Sequence, residues 1–82
     1  MRVKELLMIY VPREEEKITI KVFNEEIKLV KEVKSTRDDL LTNKSFRRIR
    51  NLELYGYYSE SSTIFGWLSK EMEELWKEEG EI

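Results

Sequence analysis

The 82-residue chain is 40% apolar and 39% charged, with a net charge of −2. That balance fits one small soluble folded domain with a thin core and a mixed-charge surface, and argues against disorder. It has no cysteine and no histidine, which rules out disulfides, thiolate chemistry, cysteine metal sites and imidazole acid–base catalysis. The longest apolar runs, Leu6 to Val11 and Ile64 to Leu68, fall far short of the roughly 20 residues of a membrane span. No signal peptide is read, so a cytoplasmic protein is expected. Alanine and glutamine are also missing while Lys, Glu, Ile and Leu abound, a bias of AT-rich genomes or of growth at high temperature.

Residues 3–11 combine β-branched, aromatic and apolar side chains on both alternations, which predicts a central strand ended by Pro12. After the charged turn Arg13 to Glu16, residues 17–23 alternate cleanly: Ile18, Ile20 and Val22 oppose Lys17, Thr19 and Lys21, a half-buried strand. Residues 27–33 fit a strand with Ile27, Leu29 and Val33 inward, or a helix with a poorer stripe; the strand reading completes a three-stranded meander.

From Ser35 the pattern changes. Ser35 before Asp38 and Thr36 before Asp39 resemble capping boxes, predicting a short helix over 36–43, with a further turn from Phe46 to Arg50. Alternation returns over 52–58, where Gly56 hints at a bulge or a close approach. The spacing of Ile64, Phe65, Leu68, Met72, Leu75 and Trp76 predicts an amphipathic helix over 62–79, stopped by Gly80. Gly66 is costly inside that helix, unless another group passes close by or the helix begins after it. The expected fold is a single α+β domain, β-β-β-short α-β-α. Its C-terminal helix crosses one face of a small antiparallel sheet.

Two clusters invite a functional reading. Lys44, Arg47, Arg48 and Arg50 form a basic segment that could hold phosphates, with Tyr55 and Tyr57 on the next strand stacking on bases. The acidic balance, with an isoelectric point near 5.3, opposes this and suggests that the arginines pair with glutamates instead. Residues 1–50 carry 13 basic and 9 acidic side chains, residues 51–82 carry 2 and 8, so the halves can attract within one fold or between copies. Trp67, at the edge of the helical stripe, and Tyr58 are the candidate protein-interface residues, Trp67 covering the sheet rim or anchoring a partner. Asp38 and Asp39 diverge on a helix and make a poor metal site, and no serine has an evident activating base. Catalytic residues, metal and cofactor are therefore expected to be absent. The function expected is a non-enzymatic protein-binding module, a subunit, adaptor or inhibitor that self-associates; the alternative is a nucleic-acid-binding accessory protein.

Overall fold

The computed structural model describes residues 1–9 and 16–82. Their element order is α1 (Val3–Ile9), β1 (Lys17–Asn24), β2 (Leu29–Thr36), α2 (Arg37–Thr42), a 3-10 turn (Lys44–Phe46), α3 (Arg47–Arg50), β3 (Glu53–Tyr58), a second 3-10 turn (Ser59–Ser61), β4 (Thr63–Leu68) and α4 (Lys70–Glu78). The protein is α+β, with the C-terminal helix packed against the sheet. The four-stranded sheet has the order β2-β1-β4-β3 and is mixed. Antiparallel hairpins β1–β2 and β3–β4 meet along a parallel seam between β1 and β4. Among the described residues, no helix is long and apolar enough to cross a membrane.

The structure departs from the predicted elements at three places. Residues 3–9 are helical rather than a strand; Tyr10 and Val11, the rest of that predicted strand, and the turn from Pro12 to Glu15 lie outside the described residues. The apolar run concealed a four-residue spacing: Val3 and Leu7 are fully buried, while Lys4, Met8 and Ile9 are exposed. The Arg2 backbone N–H donates to Oε1 of Glu5, the third residue of the helix, at 2.8 Å, the backward half of a capping box. At the other end Arg37 donates to the Leu7 and Met8 carbonyls at 2.5 and 2.9 Å, satisfying groups that the last helical turn leaves open.

The second departure is at residues 63–68, where a strand replaces the first half of the predicted helix. Ile64, Gly66 and Leu68 point into the core and alternate with Phe65 and Trp67, so the same residues satisfy a period of two as well as one of 3.6. α4 starts only after Ser69, whose Oγ accepts from the Met72 N–H at 3.3 Å. Gly66 therefore serves a close approach: a Cβ there would lie 3.1 Å from Leu52 Cδ1 and 3.7 Å from Val3 Cγ2. The predicted stop at Gly80 is present. Gly80 takes φ 78°, Glu81 N–H bonds the Trp76 carbonyl and Gly80 N–H that of Lys77, the paired bonds of a Schellman ending.

The segment 27–33 is mostly strand, displaced to Leu29–Thr36; Val33 is inward as expected, with Val30, Lys31 and Ser35, but Ile27 and Leu29 are exposed. A register shift at Val22/Phe23 causes the change of phase. Ile27 instead occupies the hairpin turn with φ 60°. Asn24 organises that turn, its Oδ1 accepting from the Glu26 and Lys28 N–H groups at 3.0 Å and its Nδ2 donating to Glu73 Oε2. Helix α2 has the predicted cap: Thr36 Oγ1 accepts from the Asp39 N–H at 3.2 Å.

One core serves the molecule. Ile18, Ile20 and Val22 of β1 and Ile64 and Leu68 of β4 pack against Val3, Leu7, Leu40, Ile49, Leu52 and Trp76. The helices thus share a single side of the sheet. Among the described residues, nothing helical covers the other.

Candidate functional site

The face that no described helix covers follows from strand alternation. On β1 it carries Lys17, Thr19, Lys21 and Phe23; on β2, Glu32 and Lys34; on β4, Phe65 and Trp67. On β3 the bulge between Leu54 and Gly56 leaves Tyr55 unpaired, with its ring on this face 5.4 Å from that of Trp67. Phe23 and Phe65 lie 5.9 Å apart at an interplanar angle of 52°, within the range of favourable edge-on contact. The Phe65 ring passes over Gly56, where an added Cβ would stand 3.4 Å from Cδ2. Tyr58 completes the face at the end of β3, its hydroxyl donating to Glu60 Oε2 at 3.1 Å. Tyr55 and Tyr58 are 54% and 53% exposed, large values for aromatic side chains on a sheet.

Lysines and carboxylates edge these rings. Lys21 pairs with Glu32 across β1 and β2 at 3.8 Å. Lys17 and Lys34 are exposed at the end of the sheet where β1 begins and β2 finishes. Glu53 and Glu60 are exposed at the two ends of β3.

The predicted nucleic-acid residues are not brought together. Tyr55 is on the open face, but Tyr57 pairs with Ile64 and turns inward, packing partly buried against the core. The bulge separates them, because it inserts one residue into the alternation. The basic segment sits on the opposite side of the sheet, in the helix layer. There Arg50 donates to the carbonyls of Leu40 and Asn43 at 3.1 and 2.7 Å, closing the end of α2. Arg48 pairs with Glu79 and with Glu81 at 3.5 Å. Lys31, from the first half of the chain like Arg48, donates to the Glu81 carbonyl at 2.9 Å, so the oppositely charged halves do meet within one fold. Lys44 and Arg47 are exposed and make no ion pair among the described residues; with Arg48, Asn51, Leu52 and Met72 they line an open cleft of about 650 Å³.

The two predicted interface residues, Trp67 and Tyr58, do share the open face. Phe23 and Phe65 were missed. Phe23 had a readable signal, an aromatic in phase with Lys17, Thr19 and Lys21 on the supposedly solvated side of its strand. Phe65 had none once its segment fitted a helical period.

No family model matches the chain, and no curated protein or solved structure matches it.

The two aspartates are otherwise engaged. Asp39 accepts from Ser35 Oγ at 2.5 Å and from Asn43 Nδ2 at 3.2 Å, and these bonds hold its carboxyl below the usual aspartate range. Asp38 turns away to lie 3.9 Å from Arg37. Among the described residues, no three acidic side chains converge as a metal site requires.

Proposed function

We propose that the protein is a non-enzymatic binding module that self-associates through its uncovered sheet face. One observation carries the reading: Phe23, Tyr55, Tyr58, Phe65 and Trp67 are gathered on the side of the sheet that the helices leave bare. Lone exposed apolar side chains are ordinary, but a group of aromatics on one flat surface marks a contact surface. Tyr and Trp anchor interfaces because they bury a large area at little cost in side-chain entropy. A second copy is the occupant favoured here because the face carries both signs of charge, lysines on β1 and β2 and carboxylates on β2 and β3, beside its aromatic rings.

Sedimentation velocity over a concentration series tests this. A concentration-dependent dimer is expected, and Trp67→Ala should weaken it at least tenfold while lowering the unfolding free energy by much less than a core truncation does. A monomer at every concentration, or a dimer indifferent to Trp67→Ala, overturns the proposal.

Lys17, Lys21 and Lys34, on the same face as the aromatic rings, favour a second reading, single-stranded nucleic acid stacked on that face. The chain's net negative charge weighs against it. Oligonucleotide binding that weakens steeply with salt, and is lost in Trp67→Ala, would put it first.

A further inference from the structure

Resting on the self-association reading, we infer the geometry of the pair: two copies stack face to face about a two-fold axis parallel to the strands, so that Lys34 of each meets Glu60 of the other. Two-fold stacking of one sheet on itself with the strands aligned has two solutions. With the axis along the strands, β2 of one copy covers β3 of its partner and strand ends keep their level. With the axis across the strands, each strand covers its own equivalent with its ends reversed.

The observed registers discriminate between them. Thr36, Lys17, Thr63 and Tyr58 lie at one end of the sheet, since Lys17 pairs with Thr36 and Tyr58 with Thr63. Phe23, Leu29, Trp67 and Glu53 lie at the other, where Phe23 pairs with Leu29 and Glu53 with Trp67. An axis across the strands sets Glu60, at the finish of β3, over Glu53 of the partner, and Lys34 over the partner's exposed Leu29. Like charges then face each other at one corner and a cation covers an apolar group at the other. The axis along the strands removes the like-charge corner and sets the partner's Glu53, rather than Lys34, level with Leu29. Lys34 faces Glu60 in two equivalent places, and Phe23 meets Trp67 of the other copy.

Size agrees with a reversible contact. Strands of six to eight residues rising about 3.3 Å each, four of them about 4.8 Å apart, give a face of roughly 450 Å² per copy. Twice that is slightly under the roughly 1,000 Å² of a stable specific interface, the size of a weak, reversible contact.

Charge exchange tests the geometry. Lys34→Glu and Glu60→Lys, each exposed and outside the core, should each weaken the homodimer about tenfold by facing like charges across both corners. An equimolar mixture of the two single variants should regain wild-type association, because both corners then hold a Lys–Glu pair, and salt should erode the recovery. The double variant should also recover. If wild type dimerises and Trp67→Ala weakens it, yet the single variants do not rescue one another, the axis is wrong and the self-association reading stands. If wild type never dimerises, that reading fails and takes the geometry with it. Unchanged thermal midpoints confirm that the exchanges leave the fold intact.

Discussion

Ile27 is a place where removing a hydrophobic side chain should stabilise the protein. It has φ 60°, the left-handed region, where a β-branched residue is an outlier, and its N–H is held by the Asn24 carbonyl at 2.9 Å. The conformation costs an L-residue about 1–2 kcal/mol. The opposing term is small. Ile27 is 55% exposed, so its removal forfeits at most about 1 kcal/mol of apolar burial. Asparagine tolerates the left-handed region and, unlike glycine, adds little freedom to the unfolded chain. Ile27→Asn should therefore raise the unfolding free energy by about 0.5–1 kcal/mol, or the thermal midpoint by roughly 3–6 °C in a domain of this size. Urea unfolding at several protein concentrations separates this from any change in association, and Ile27→Val, which keeps the branch, should stay within about 0.5 kcal/mol of wild type. A loss of more than about 1 kcal/mol in Ile27→Asn beside a neutral Ile27→Val would refute the reasoning, by showing that packing outweighs backbone strain.

Trp76 is fully buried and is the largest side chain of the core, so Trp76→Ala should cost about 3–5 kcal/mol, a large part of the stability of a small domain. Denaturant midpoints measure it, and a loss under about 1.5 kcal/mol would mean that the helix layer is less dependent on this ring than its burial indicates. Asp39 governs part of the acid limb. Its folded pKa is depressed, first by Ser35 and then by Asn43, so its contribution is complete above the unfolded value of about 3.9 and disappears as pH falls through the lower folded value. Asp39→Asn should flatten stability against pH below about 4. An unaltered acid limb would count against the Ser35 and Asn43 bonds.

What could be read from the residues depended on whether local chemistry had one solution. β1 did: Ile18, Ile20 and Val22 alternate with polar neighbours, and burial follows that pattern. The Thr36 cap and the Gly80 ending were equally legible, because each needs only a few adjacent residues. The segment 63–68 had two solutions, and the parallel pairing with β1 chose between them, a tertiary effect that no local window contains. The site depended on the same choice. Trp67 and Tyr58 could be picked out singly, but that they share a face with Phe23 and Phe65 follows only once β4 is a strand. Tyr57 illustrates the converse, since a single bulged residue moved it from the expected surface to the core side.

The seam between β1 and β4 has a consequence for how the molecule holds together in time. Each hairpin can form from neighbouring chain, but neither contains an interior of its own: β1 brings Ile18, Ile20 and Val22, and β4 brings Ile64 and Leu68 from far along the sequence. Closing that distance carries the loop entropy that the hairpins escape, and it is repaid only when both sets of side chains meet beneath Trp76. Cooperativity therefore resides in the parallel pair, and a half-formed molecule with one hairpin intact has almost nothing to keep it folded.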